Sequence, residues 1–199
     1  MIKQFKLLIE GYASIVANEW IVNSSTCFIE TDSSKIIVDP GCNSDLLLQK
    51  LFENNIDVND INFIFITHSH IDHILNFKLF HNAKLLDGYF LYDGDRLVIH
   101  NSAIFNDITI LQTPGHTNDH CSMIFEFNNI KIAIAGDVFW WSDNEEIKFD
   151  TIDLIYREDK FASDFNQLVE SRKLLVLNSE LIIPGHGKSF PTTKLREKL

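Results

Sequence analysis

Four apolar residues, Phe63-Ile64-Phe65-Ile66, run without interruption into Thr67-His68-Ser69-His70-Ile71-Asp72-His73. A short apolar run rich in β formers is the pattern of a strand buried on both faces, so the chain must supply packing layers above and below it. In an extended segment residues two apart point the same way, and His68 and His70 therefore present their imidazoles to one point in space. If Asp72 opens a helix, it and His73 project from the helix N-terminus into the same region, which gives enough donors for two metal ions.

The rest of the chain alternates as an α/β protein does. Residues 21–23 and 26–31 read as strands, and Asp32-Ser33-Ser34 turns the second into 35–39 as a hairpin. Pro40-Gly41 ends it, and Ser44 or Asp45 caps a helix through about Asn54, with Leu47, Leu48, Leu51 and Phe52 at helical spacing. A helix is expected from Asp72 to Phe80. Strands follow at 108–112, 123–127 and 130–135, with Asp93-Gly94 and Asn128-Asn129 as hairpin turns. Residues 163–178, opening on a capping Ser163, predict the longest helix, and 181–183 a closing strand. Three later strands end in a ligand-type residue beside glycine: Thr113-Pro114-Gly115-His116-Thr117, Ala135-Gly136-Asp137 and Pro184-Gly185-His186-Gly187. Loops at strand ends converge in layered α/β proteins, so these segments can share one rim with the first histidine cluster.

In order, Asp39 in Val38-Asp39-Pro40-Gly41, the His68/His70/Asp72/His73 cluster, His116, Asp137 and His186 resemble the five motifs of the metallo-β-lactamase superfamily. The resemblance covers nearly the whole chain and implies a four-layer αββα sandwich, one domain over 1–199. It implies that His68, His70 and His116 hold one metal ion, that Asp72, His73 and His186 hold a second, and that Asp137 bridges them. Asp39 and Thr67 would stand behind the ligands and orient their loop. The all-nitrogen and oxygen set favours two Zn²⁺ per chain, while Mn²⁺ or Fe²⁺ also fit. A water shared by two such ions is acidic enough to supply hydroxide without a protein base, and Asp72 would steer the proton. No cysteine ligand is needed, although Cys121 lies near His116, and no β-lactamase activity is expected. The chain is similar to the short, single-domain metallo-β-lactamase domain-containing subgroup, an animal member of which is regarded as a ribonuclease. Hydrolysis of phosphodiesters, with RNA as the example, is therefore the leading expectation. The alternatives are a thioester or lactone hydrolase of glyoxalase II-like chemistry and a mononuclear-iron persulfide dioxygenase. Only thirteen residues follow His186, which leaves no room for the C-terminal helical domain of glyoxalase II, and neither a β-CASP insert nor a tRNA-binding arm is expected.

Charge qualifies this reading. Lys and Arg number 17 against 28 Asp and Glu, a net −11, and such a surface repels nucleic acid unless bound cations reverse the local field. The substrate is expected to be a small molecule or single-stranded RNA. Phe139-Trp140-Trp141 follows the bridging Asp137, and three consecutive aromatics cannot all face one core, so Trp140 and Trp141 are candidate substrate contacts. His120 and Lys188 are the others, with His120 also readable as a structural histidine. Arg172 and Lys173 fit either a phosphate clamp or a solvated helix face. No apolar run exceeds four residues, so no membrane span is expected, and the chain reads as cytoplasmic, with a homodimer allowed. Cys27, Cys42 and Cys121 lack the pairing or spacing of a disulfide framework or a thiolate cage.

Overall fold

The computed structural model describes residues 1–100 and 104–199. Its first sheet contains β1 (Ile2–Ile9), β4 (Thr26–Thr31), β5 (Lys35–Val38), β6 (Phe63–Phe65), β7 (Lys84–Leu86), β8 (Phe90–Asp93) and β9 (Arg96–Ile99), in that spatial order. The pairs β5–β6 and β6–β7 are parallel and the others antiparallel. A second sheet contains β10 (Ile108–Gln112), β11 (Cys121–Phe127), β12 (Ile130–Trp140), β13 (Leu181–His186) and β14 (Phe190–Pro191). Only β12–β13 is parallel there. The strands β2 (Tyr12–Val16) and β3 (Glu19–Asn23) form a hairpin that joins neither sheet.

Alternation along the strands builds three apolar interfaces and so four layers. Ile36, Val38 and Phe65 of the first sheet meet Ile110, Met123, Phe125, Ile132 and Ile134 of the second. Their neighbours Ile37 and Ile64 face outward onto Leu47 and Leu51 of helix α1 (Ser44–Glu53). Ala133 and Ala135 face outward from β12 onto Leu168, Leu175 and Val176 of α3 (Phe165–Asn178). The order is helix, sheet, sheet, helix, the αββα sandwich implied above. The run Phe63-Ile64-Phe65-Ile66 is apolar throughout because both faces of β6 are covered.

Several local details differ from the sequence expectation. Helix α1 is capped by the Asn43 side chain, which accepts from Leu46 N at 3.1 Å, rather than by Ser44 or Asp45. Asp164, not Ser163, caps α3, accepting from Gln167 N at 3.0 Å; the Ser163 hydroxyl instead donates to Gly115 O. The helix expected from Asp72 to Phe80 is α2 (Ile71–Ile74) followed by 3₁₀ turns over Leu75–Leu79. Asn76 N donates to Gly41 O at 3.1 Å, and Asp72 O accepts from Ser24 N at 3.2 Å, so both partners of the next helical hydrogen bond are engaged elsewhere. A last short helix, α4 (Thr193–Arg196), follows β14. Asn128 and Asn129 both have positive φ, 53° and 61°, as a two-residue hairpin turn demands. No cysteine is in a disulfide; Cys27 and Cys121 are buried and Cys42 half-buried. Among the described residues no helix is long and apolar enough to cross a membrane.

Phe65 sits fully buried between the sheets at the root of the histidine loop. Phe65→Ala is expected to cost roughly 3–5 kcal/mol of stability, read as a lowered midpoint in denaturant unfolding without a change of slope.

Candidate metal centre

The site begins with Asp39, the residue after β5. Val38 pairs with Phe65 in the parallel β5–β6 ladder, so Asp39 lies beside the exit of β6, where its N–H donates to Phe65 O at 2.9 Å. A φ of +47° turns its carboxylate toward the histidine loop. Its Oδ1 accepts from Thr67 N at 2.8 Å, and its Oδ2 accepts from Thr67 Oγ1 at 2.7 Å and from His73 Nδ1 at 2.8 Å.

These bonds decide which nitrogen each imidazole offers. The single hydroxyl proton of Thr67 goes to Asp39, so at the 3.1 Å contact between Thr67 Oγ1 and His68 Nδ1 the imidazole must be the donor. His73 Nδ1 faces a carboxylate, and His116 Nδ1 faces Asp159 Oδ2 at 2.7 Å, so both donate. His186 Nδ1 donates to the carbonyls of Tyr12 and Asn23, at 3.2 and 3.1 Å, which are paired across the base of the β2–β3 hairpin. In four rings the Nε2 is thereby left facing inward. His70 presents Nδ1 instead, 2.9 Å from His68 Nε2 and 3.2 Å from His116 Nε2.

Asp137, within β12, places one oxygen toward each half of the cluster. Its Oδ2 lies 3.8 Å from His68 Nε2 and 3.4 Å from His116 Nε2. Its Oδ1 lies 3.2 Å from His73 Nε2 and 3.6 Å from His186 Nε2. Asp72 Oδ2 completes the second half, 3.1 Å from His186 Nε2 and 3.8 Å from His73 Nε2. The donors fall into two groups, His68, His70, His116 and Asp137 in one, and Asp72, His73 and His186 in the other. His73 Nε2 and Asp137 Oδ1 are buried without a hydrogen-bond partner. Two buried polar atoms 3.2 Å apart with no hydrogen-bond partner are the arrangement that two ligands of one cation present. The residues thus fit two divalent ions. Gly185 makes room for this carboxylate, since a Cβ there would stand 1.8 Å from Asp137 Oδ1.

The field is shaped by the same groups. Burial, then the neighbouring His73, pushes His68 well below the ordinary histidine range. Burial opposes charge on His73 too, but Asp137 and Asp39 outweigh it and hold that ring well above its usual value. Burial would raise Asp137, yet His73 and His186 keep it well below the carboxylate range.

The structure brings together all seven residues assigned to metal by the resemblance, with Asp39 and Thr67 behind them. Of the four proposed substrate contacts only Trp140 lines the pocket over this cluster. Trp141 turns the other way, against Phe149 and Phe190. Lys188 borders a separate cleft with Glu10 and Asp143. His120 is fully buried behind the ligands: its Nε2 accepts from Asp137 N at 3.1 Å, so Nδ1 donates to Thr113 Oγ1 at 3.0 Å and nothing is left for a substrate. Burial, then His116, pushes it down to about 3, a neutral structural ring. Arg172 is neither clamp nor solvated; it is buried, donating to the carbonyls of Val138, Ile155 and Arg157. Cys121 Sγ is directed at the Ile66 and Thr67 carbonyls, away from the donors. Asp159, which holds His116, carries no sequence signal: it lies 43 residues away in an irregular loop.

A profile of the Metallo-beta-lactamase superfamily matches residues 20–89. A "probable metallo-hydrolase" of Methanocaldococcus jannaschii is 32% identical, over 76% of this chain and 70% of its own length. The chain belongs to the metallo-β-lactamase superfamily. Metallo-beta-lactamase domain-containing protein 1 of Xenopus laevis is 25% identical over 94% of this chain and 81% of the relative. Hydroxyacylglutathione hydrolase 1 of Vibrio vulnificus is 31% identical over 64% of this chain, which spans about half, 52%, of that protein. A crystal structure from Thermotoga maritima, assigned to the metallo-beta-lactamases, superposes with a TM-score of 0.70 at 22% identity, covering 94% of this chain and 98% of the other. The chain is thus a hydrolase-family member with a metal-binding His and Asp cluster.

His68→Ala and Asp137→Ala are each expected to leave a folded protein with reduced metal content, read by elemental analysis beside circular dichroism. In metal-free protein Asp137 and Asp39 favour the protonated His73 ring, whereas Nε2 must be bare to hold a cation. Metal uptake should therefore release protons, and affinity should fall as pH is lowered. Calorimetric titration in buffers of different ionisation enthalpy measures both.

Proposed function

We propose that this chain is a dinuclear metal hydrolase, with zinc as the resident ion, that cleaves a compact carboxylic ester or thioester. The observation that carries the proposal is the lining of the pocket above the cluster. A cavity of about 420 Å³ has His70, Asp72, His116, Asp137 and His186 on its floor and Ala13, Trp20, Val22, Ile71, Trp140 and Phe161 on its walls. No lysine or arginine is among those residues. Such a wall receives an acyl group by burying apolar area, whereas a phosphodiester backbone needs cations along its track. The identity to a hydroxyacylglutathione hydrolase, a thioesterase by name, points the same way.

Lys160 Nζ lies over the Trp20 ring, 4.3 Å from its centroid, and Lys173 borders a separate cleft on α3, paired with Glu170. Two divalent ions in the cluster would polarise the scissile carbonyl and acidify an attacking water. The chain's own groups do the rest. Asp137 spans the two halves of the floor, and the half-buried Asp72, at the pocket edge, is placed to hold the proton that attack releases. Burial opposes ionisation of Asp72, but His186 and His73 lower it below the usual range, so its carboxylate is ionised at neutral pH. The complete second set of donors, Asp72, His73 and His186, argues against a single-iron oxygenase.

The test is turnover by zinc-loaded protein of a short-chain acyl thioester and a p-nitrophenyl ester against bis(p-nitrophenyl) phosphate and single-stranded RNA. Acyl turnover well above phosphodiester turnover is expected; the reverse order would establish the RNA reading instead. Trp140→Ala should raise KM for the acyl substrate about tenfold or more, with a smaller change in kcat, because it removes binding area rather than a reacting group.

A further inference from the structure

Behind the aromatic wall lies the carboxylate of Asp159, whose side chain is only 1% exposed. Its Oδ2 accepts from His116 Nδ1 at 2.7 Å, and its Oδ1 accepts from Phe161 N at 2.9 Å. The indole of Trp140 lies beside the same carboxylate and helps to hold it ionised. The two donors therefore come from one prospective metal ligand and from Phe161, whose ring lies 5.5 Å from that of Trp140 in the same wall. The loop that carries Asp159 is anchored independently of any metal. Arg172, buried in α3, donates to Ile155 O at 3.1 Å and to Arg157 O, and its Nε reaches Val138 O at 2.9 Å, next to Asp137. Arg157 in turn pairs with Glu145.

We propose that Asp159 is a positioning residue that couples metal binding at His116 to the shape of the substrate wall formed by Trp140 and Phe161. A carboxylate is rigid and accepts at both oxygens. An imidazole drawn toward a cation therefore shifts the one group on which the Phe161 backbone also hangs, and with it the ring that packs on Trp140. An amide cannot replace it. Asparagine of the same shape offers one acceptor and one donor, so either the His116 N–H or the Phe161 N–H would face another N–H. The inference rests on the reading of His116 as a ligand and is independent of the substrate's identity.

The experiment strips the protein of metal and titrates zinc against a chromophoric chelator, with tryptophan emission followed in a Trp20→Phe, Trp141→Phe background where Trp140 alone reports. Zinc is expected to change Trp140 emission in that parent. Asp159→Asn should weaken zinc binding about 10- to 100-fold, as loss of a ligand's outer partner does elsewhere, and abolish the emission response. Asp159→Ala, which removes the acceptor without setting an N–H against His116, should weaken zinc binding as well and abolish the emission response; it carries the test if Asp159→Asn fails to fold. Unchanged zinc affinity in Asp159→Asn or in Asp159→Ala, or a Trp140 response that survives either substitution, overturns the inference. A parent protein that takes up no zinc brings down the ligand reading and this inference with it, while absence of thioester turnover touches neither readout.

Discussion

A single buried carboxylate, that of Asp39, sets the geometry on which the site depends. Burying a charge is tolerable only when donors surround it, and Asp39, 1% exposed, takes its donors from the two ends of one loop. Thr67 stands before the first ligand histidine and His73 is the last of the cluster, so one carboxylate closes the loop on itself. The Asp39 carbonyl is held as well, accepting from Thr26 Oγ1 at 2.7 Å. The loop has little freedom left before any cation arrives, which is the condition for a metal site that need not be assembled by its ion.

The same device recurs around the cluster. His116 leans on Asp159 from the 155–163 loop, and His186 on two carbonyls at the base of the β2–β3 hairpin. These two outer partners belong to the two walls of the pocket: the hairpin supplies Ala13, Trp20 and Val22, and the loop supplies Phe161. The walls meet at the mouth, where the Trp20 and Phe161 rings lie 6.0 Å apart and Lys160 covers the Trp20 face. Ligand orientation and pocket shape thus share their hydrogen bonds. The inward nitrogens and the Asp137 oxygens stand closer together than their mutual satisfaction allows, and the two orphaned atoms, His73 Nε2 and Asp137 Oδ1, mark where positive charge belongs. That charge also lets a protein of net −11 present an electron-poor floor to a substrate.

Much of this was legible in the chain. The apolar run into the histidine cluster declared a two-sided strand and a ligand loop, and glycine beside His116, Asp137 and His186 marked the other strand ends. What sequence spacing misjudged were choices among neighbours. Asn43 and Asp164 cap their helices although a serine stood next to each, because each cap position falls one residue away from its serine: Asn43 and Asp164 accept from Leu46 N and Gln167 N, while the Ser44 and Ser163 hydroxyls donate to Asn76 and to Gly115 O. Trp140 and Trp141 are adjacent and chemically equal, yet the pleat sends one to the pocket and the other to the core. His120 reads locally as either a substrate contact or a structural histidine, and the partners that fill both its nitrogens, Asp137 N–H and Thr113 Oγ1, decide for the second.

Residue types and order alone determined the α/β alternation and the inventory of metal donors, because those follow from apolar periodicity and from chemistry that few side chains can perform, and the family and its four layers were implied by the resemblance those motifs carry. Tertiary structure alone decided which nitrogen each imidazole offers, that Arg172 is buried structure, that Asp159 stands behind His116, and that the pocket walls are apolar. Those are settled by contacts between segments far apart in the chain, such as the 43 residues from His116 to Asp159, and local sequence carries no trace of a distant partner.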